Sequence, residues 1–85
     1  MPKIEIYTKF MCPYCANAIA LLTRKGAAFA EHDITMGGPD RAMMLERSGG
    51  RTTVPQIFIG AHHVGGSDDL AALDAAGQLD VLLAG

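Results

Sequence analysis

Two cysteines that lie three positions apart constrain this chain more than any other feature of its sequence. They stand in the motif Cys12-Pro13-Tyr14-Cys15, and the 85 residues contain no other cysteine. Alternating apolar and polar residues predict a strand at residues 3–8, directly before the motif. Apolar residues spaced by three and four predict a helix at residues 14–25. The cysteine pair therefore lies where a strand meets the N-terminus of a helix.

This position favours thiol chemistry. The nucleophile in thiol–disulfide exchange is the thiolate, and the unpaired N–H groups at a helix N-terminus stabilise an anion. Pro13 suits the first helical position, which makes Cys12 the N-cap residue, and Lys9 adds a nearby positive charge. Residues three apart in a helix have Cβ atoms about 5–6 Å apart, and a small rotation brings them to the ~3.8 Å of a disulfide. We predict that Cys12 attacks a substrate disulfide and that Cys15 resolves the product.

A structural zinc site is the main alternative for this motif. A closed zinc site has four protein ligands, but the chain has no second cysteine pair. Its histidines, His32, His62 and His63, are scattered along the sequence. We therefore expect no metal.

Composition and charge favour a small soluble protein. Half of the residues are apolar, which allows one domain, residues 1–85, with one modest core. The net charge of −2 argues against nucleic acid as a partner. The N-terminus has no signal-peptide pattern, and no apolar run reaches the roughly 20 residues that span a bilayer. These features predict a cytoplasmic protein without a membrane partner, and in that reducing compartment a vicinal cysteine pair is more often catalytic than structural.

The rest of the pattern predicts the fold. Strands are expected at residues 29–34, 56–59 and 62–64, and helices at 39–48, from Ser67 to Gly77, and at 79–83. Ser67 is expected to be the N-cap of its helix. The second helix is predicted to bury Ala42, Met43 and Leu45, with its methionines in the core. The order β-α-β-α-β-β-α, with a Cys-x-x-Cys beside a βαβ unit, indicates a thioredoxin-like α/β fold with a central mixed four-stranded sheet flanked by helices.

Three separated motifs now make the chain resemble a glutaredoxin of the small bacterial dithiol type. They are Cys12-Pro13-Tyr14-Cys15, Thr53-Val54-Pro55 before a strand, and Gly65-Gly66-Ser67-Asp68-Asp69-Leu70 at the start of a helix. The resemblance covers nearly the whole chain. It implies a glutathione-dependent enzyme that reduces protein disulfides and protein–glutathione mixed disulfides and acts as a monomer.

The resemblance also implies a glutathione site. The Val54–Pro55 peptide is expected to be cis, which leaves the N–H and C=O of Val54 free to pair with an extended thiol peptide. The helix N-terminus at Ser67 and Asp68 is expected to hold the γ-glutamyl end of glutathione. Lys9 and Arg41 are assigned to its glycine carboxylate, with Arg51 as the competing choice. The full set implied for glutathione is Lys9, Tyr14, Arg41, Thr53, Val54, Pro55, Gly66, Ser67 and Asp68.

Two other functions are compatible with the same motif. One is a thioredoxin-like electron donor that a reductase recharges in place of glutathione, although Lys9 and the Ser67-Asp68 site favour glutathione. The other is an iron–sulfur carrier in which a dimer shares a cluster through Cys12 and glutathione. Relatives that carry clusters usually lack the proline or the second cysteine, so Pro13 and Cys15 favour redox chemistry.

Overall fold

The computed structural model describes residues 2–85, and that part of the chain contains four strands and four helices. The strands are β1 (Ile4–Thr8), β2 (Ala30–Asp33), β3 (Gln56–Ile59) and β4 (His62–Gly65), and the helices are α1 (Pro13–Arg24), α2 (Pro39–Arg47), α3 (Ser67–Ala75) and α4 (Gln78–Ala84). Most of the predicted boundaries agree with these to within one residue. None of the helices in residues 2–85 is long and apolar enough to cross a bilayer.

The four strands form one mixed sheet in the order β2-β1-β3-β4. Strand β1 pairs in parallel with β2, because α1 carries the chain from one end of the sheet back to the other. It pairs antiparallel with β3 on its other side, and β3 and β4 form the expected hairpin. The predicted thioredoxin-like topology is confirmed. Because β1 and β3 are antiparallel neighbours, this topology places the end of β1, the start of α1 and the start of β3 at the same end of the central strands.

One face of the sheet carries the larger core. Side chains alternate along a strand, so Ile4 and Ile6 of β1 point to the same face as Ile57 and Ile59 of β3. Helices α1, α3 and α4 cover this face with buried residues that include Ala18, Leu22, Leu70, Leu79 and Leu83. The predicted apolar stripe of α1 is confirmed.

The opposite face carries a smaller cluster beneath α2. It consists of Tyr7, Ile34, Met44 and Phe58, with Leu45 and Val54 packed against it. The predicted stripe of α2 is partly wrong, because Met44 is fully buried while Ala42 and Met43 are exposed.

The contacts of Arg47 explain the orientation of α2 about its own axis. Its guanidinium lies 4.0 Å from the centre of the Phe58 ring, donates to the Tyr7 hydroxyl at 3.1 Å and pairs with Glu5 at 3.0 Å. The charged Arg47 therefore faces the sheet, although a pattern of apolar residues would predict that it faces solvent.

Candidate active site

The first cysteine lies at the N-terminus of α1, as predicted. Cys12 is the N-cap residue, Pro13 is the first helical residue, and the main-chain N–H of Cys15 donates to the Cys12 sulfur at 3.4 Å. Cys12 is half-buried, whereas Cys15 is only 3% exposed and packs in the layer beneath it. Both are free thiols in this structure. The Cys12 sulfur is therefore accessible from the surface, whereas the Cys15 sulfur is buried.

The two thiols differ in acidity. Partial burial acts to raise the pKa of Cys12, but hydrogen bonds from Cys15 and from the N–H of Tyr14, together with the charge of Lys9, lower it below the ordinary cysteine value. Burial raises the pKa of Cys15 to about 11, and its contact with the Cys12 sulfur adds to the effect. Cys12 is therefore the more acidic of the two thiols and forms a thiolate at lower pH than Cys15 does.

A loop before β3 faces the first cysteine. The Val54–Pro55 peptide is cis, as expected, and the carbonyl oxygen of Val54 lies 3.9 Å from the Cys12 sulfur. The main chain of Val54 is thus next to the nucleophile, where an extended thiol substrate could pair with it.

A fully buried amide holds this loop from behind. The Gln56 side chain donates to the carbonyl of Thr53 at 3.0 Å and lies 3.2 Å from its hydroxyl. Because both contacts use the amide nitrogen, the amide oxygen accepts from Nε2 of His63 at 2.7 Å. Burial, with the charge of Arg51, lowers the pKa of His63, so its neutral form is favoured. The position of Thr53 is therefore fixed by side chains of β3 and β4.

The N-terminus of α3 forms the far wall of the site. Ser67 is its first helical residue rather than its N-cap, so that prediction is wrong; the N-cap is Gly66. The reason is that the Asp69 carboxylate accepts from the Gly66 N–H at 2.8 Å, and the Gly66 carbonyl accepts from the N–H of Leu70. The main-chain N–H groups of the first turn then point at the groove.

Gly65 leads into this turn, and no other residue type fits there. Its φ of +110° lies in a region that side chains rarely adopt. A Cβ atom at this position would also collide with the carboxylate of Asp69. The glycine therefore allows the chain to turn tightly from β4 into α3.

These elements enclose a groove of about 510 Å³. It is lined by residues of the active-site loop, the loop before β3 and the start of α3: Lys9, Tyr14, Arg51, Thr52, Thr53, Val54, Pro55, Gly66, Ser67, Asp68 and Asp69. Eight of the nine residues implied for glutathione line this groove. Arg41, the ninth, lies in the first turn of α2 and is not among them.

The sequence left Arg41 and Arg51 as alternative partners for the glycine carboxylate, and of these two only Arg51 lines the groove. The Ser48 hydroxyl, at the end of α2, accepts from the N–H of Arg51 at 3.1 Å and lies 3.3 Å from its carbonyl. These contacts close the Gly49-Gly50 turn and fix the backbone of Arg51. Thr52 and Asp69 also line the groove and were not predicted; the only sequence signal was that each adjoins a predicted residue.

Within residues 2–85, no three or more histidine, cysteine, aspartate or glutamate side chains are grouped so that they could hold a metal ion. The site brings together a thiol of lowered pKa at a helix N-terminus, a buried second thiol and an open groove beside them.

A thioredoxin-like fold with such a thiol pair defines a thiol–disulfide oxidoreductase. Residues 4–64 match the family model described as Glutaredoxin. The chain belongs to the glutaredoxin family.

Relatives support the same assignment over nearly the whole chain. Glutaredoxin 3 of Escherichia coli K12 is 59% identical over 83 residues, covering 98% of this chain and 99% of the relative. The solution structure of glutaredoxin from Brucella melitensis is 59% identical, with a TM-score of 0.83 over 98% of this chain and 89% of that one. A buckwheat glutaredoxin–glutathione complex is 28% identical, with a TM-score of 0.84 over 98% of this chain and 77% of the other.

Proposed function

We propose that this glutaredoxin uses Cys12 to reduce protein–glutathione mixed disulfides and protein disulfides, with glutathione bound in the groove beside it. One observation carries the proposal: a cysteine with a lowered pKa lies directly beside a groove. The Cys12 sulfur is 3.9 Å from the carbonyl oxygen of Val54, which lines that groove. The similarity to a glutaredoxin solved with glutathione supports the choice of ligand.

The groove matches glutathione at both ends. Lys9 and Arg51 supply positive charge for the glycine carboxylate, and Arg51 replaces Arg41 as our preferred partner because it lines the groove. The N–H groups of Ser67 and Asp68 at the start of α3 suit the γ-glutamyl carboxylate. The Asp68 carboxylate suits the ammonium next to it.

Between these ends, the groove also offers contacts for the middle of glutathione. Thr53, Val54 and Pro55 form the wall along which the cysteinyl residue of glutathione would extend. Gly66 has no side chain, so glutathione can approach the main chain closely there. Tyr14 flanks the ligand beside the nucleophile. In this pose the glutathione sulfur reaches Cys12.

Removal of glutathione from a protein needs only the first cysteine. The Cys12 thiolate attacks the glutathione sulfur of the mixed disulfide, and the bond between that sulfur and the protein sulfur breaks. The protein leaves as a thiolate and takes a proton from water. The thiolate of a second glutathione then attacks the sulfur of the bound glutathione, which releases glutathione disulfide and restores the Cys12 thiolate.

Reduction of a protein disulfide also needs the second cysteine. Cys12 attacks one substrate sulfur and forms a mixed disulfide, which removes the negative charge that held the Cys15 proton. Cys15 then loses its proton and attacks the Cys12 sulfur, so the substrate leaves with both sulfurs reduced. Two glutathione molecules reduce the Cys12–Cys15 disulfide in two exchange steps and leave as glutathione disulfide.

The setting of this chemistry is part of the proposal. We infer that residues 1–85 act as one glutaredoxin domain, as a monomer, on disulfide-bonded or glutathionylated proteins. A glutathione-dependent cycle and a vicinal cysteine pair suit the reducing cytoplasm.

The test is turnover of a small glutathione mixed disulfide, coupled through glutathione reductase to NADPH. Wild type and Cys15→Ser are expected to turn over, and Cys12→Ser is expected to be inactive. Circular dichroism of each variant checks that the fold is retained. Activity in folded Cys12→Ser would refute the role of Cys12, and a folded but inactive wild type would favour an electron donor that a reductase recharges.

A further inference from the structure

A second groove borders the nucleophile on the side away from the glutathione groove. It has a volume of about 430 Å³ and lies between the start of α1 and β2, with Cys12, Phe10, Met11, Glu31 and Asp33 among its lining residues. The two grooves share only Lys9. A molecule in the second groove could therefore approach Cys12 while glutathione occupies the first.

Large apolar side chains are gathered at this groove without a partner in residues 2–85. Phe10 is 75% exposed and Met11 is 84% exposed, although both stand directly before the nucleophile. The N–H of Phe10 donates to the hydroxyl of Thr35 at 2.7 Å, which fixes the backbone at this point. Exposed apolar side chains that cluster in this way mark a surface for a macromolecule.

The backbone under these side chains is fixed, so their exposure does not come from a loose loop. Ile34 donates its N–H to the carbonyl of Thr8 at 2.8 Å, and Thr35 donates its N–H to the Asp33 carboxylate at 2.8 Å. Met11 is held at a φ of +56°, a conformation uncommon for a residue with a side chain. Neither packing nor backbone preference within the described chain explains a methionine at this position.

The groove also carries negative charge. The Glu31 carboxylate is fixed by the hydroxyl of buried Thr8 at 2.8 Å, and Asp33 lies two residues further along β2. The hydrogen bonds from Thr35 lower the pKa of Asp33, so it stays ionised near neutral pH. Lys9 lines both grooves. The other charged residues of the second groove are Glu31 and Asp33, whereas those of the glutathione groove are Arg51, Asp68 and Asp69, so only the second groove lacks a cation besides Lys9.

We propose that this second groove docks the polypeptide that flanks the target cysteine of a protein substrate, and that it selects segments with an apolar residue next to lysine or arginine. The apolar side chain packs on Phe10 and Met11, and the cation pairs with Glu31 and Asp33. The inference extends the proposed function by naming the class of protein substrate. Its first test, however, measures docking without turnover.

The test is a titration of the ¹⁵N-labelled full chain with short peptides, followed by NMR. The peptides carry serine in place of the target cysteine, flanked by Leu-Arg in one and by Leu-Glu in the other. The Leu-Arg peptide is expected to shift the amide signals of residues 10–11 and 31–33 in a saturable way, and to leave residues 66–68 unmoved. Saturable shifts at residues 66–68 alone, or equal binding of both peptides, would overturn the proposal.

Matched variants then identify the source of the preference. Glu31→Gln with Asp33→Asn keeps the hydrogen-bond acceptors and removes both charges, so the preference for Leu-Arg should fall about fivefold at low salt. Asp40→Asn with Glu46→Gln removes two exposed carboxylates of α2 and should leave the preference unchanged. An unchanged preference in the first pair would overturn the charge assignment.

Turnover separates this proposal from the proposed function. The same two peptides with the target cysteine restored and glutathionylated should differ in KM with wild type. A small glutathione mixed disulfide should be turned over equally well by wild type and by the Glu31→Gln, Asp33→Asn pair. Failure of wild type on the small disulfide would refute the proposed function and leave the docking result standing. Normal turnover of the small disulfide with no difference between the peptides would refute the docking proposal.

Discussion

Replacement of Gln56 by methionine tests whether a buried amide holds the loop that faces Cys12. Methionine has a similar length and shape but cannot form the contacts of Gln56 with the Thr53 carbonyl, the Thr53 hydroxyl and His63. Each hydrogen bond contributes about 0.5–1.5 kcal/mol net, so the three together amount to about 1.5–4.5 kcal/mol. Thr53 is exposed and water can replace part of the loss, so we expect Gln56→Met to lose about 2 kcal/mol.

Such a loss is readily measured in a chain of 85 residues, whose whole free energy of unfolding should be about 4–13 kcal/mol. A loss of 2 kcal/mol lowers the urea midpoint by about 1–2 M and the melting temperature by about 8–16 °C. The matched control is Thr53→Val, which removes only the hydroxyl contact and should lose about 0.5–1 kcal/mol. A Gln56→Met variant as stable as wild type, or no less stable than Thr53→Val, would refute the reasoning.

Four further predictions concern the thiols and their support. The rate of Cys12 alkylation by iodoacetamide should rise with pH through a midpoint below the ordinary cysteine pKa, since a lowered pKa populates the thiolate at lower pH. Burial raises the pKa of Cys15 to about 11, so its alkylation should have a much higher midpoint, and equal midpoints for the two thiols would contradict the assignment. Lys9→Met should raise the Cys12 pKa in the same assay and raise KM for glutathione mixed disulfides; an unmoved pKa would remove Lys9 from the account. Met44→Ala should lower the free energy of unfolding by about 2–5 kcal/mol in urea, because it leaves a cavity at a fully buried site; a loss below about 1 kcal/mol would contradict that packing. Gly65→Ala should destabilise the fold by about 1–3 kcal/mol and raise KM, since its φ and its contact with Asp69 exclude a side chain; wild-type thermal unfolding would refute this.

The sequence predicted those parts of the fold that rest on local signals. Alternation of apolar residues in β1, the short apolar run of β3, glycine stops after helices, and a proline at the first position of α1 each act over a few residues. The same holds for Cys12 as N-cap, because its role depends on Pro13 and the helix that follows. Topology then followed from the order of these elements.

Polar residues that face the sheet were not predictable in this way. The orientation of α2 depends on Arg47, whose partners Glu5, Tyr7 and Phe58 lie on strands far away in sequence. No pattern within α2 shows that a guanidinium will cover an aromatic ring there. Met43 and Met44 are adjacent and project about 100° apart, so the orientation of the helix decides which one is buried.

The finer details of the site were missed for the same reason. Asp69 caps α3 through the Gly66 N–H, so Gly66 is the N-cap and the helix begins at Ser67, one residue earlier than predicted. Gln56 was predicted only as a strand residue, and the choice between Arg41 and Arg51 stayed open until the fold placed Arg51 in the groove. These roles arise from contacts between separate elements, which spacing along the chain does not encode.

The most direct test of the central claim is to trap the first chemical step. Cys15→Ser is mixed with an excess of glutathionylated peptide, without free glutathione, quenched with acid and analysed by intact-mass and fragment mass spectrometry. The account predicts one glutathione per chain on Cys12, with the peptide released as its free thiol. A peptide adduct on Cys12, or an unmodified Cys12 in a folded protein, would contradict a glutathione-binding groove that directs the attack.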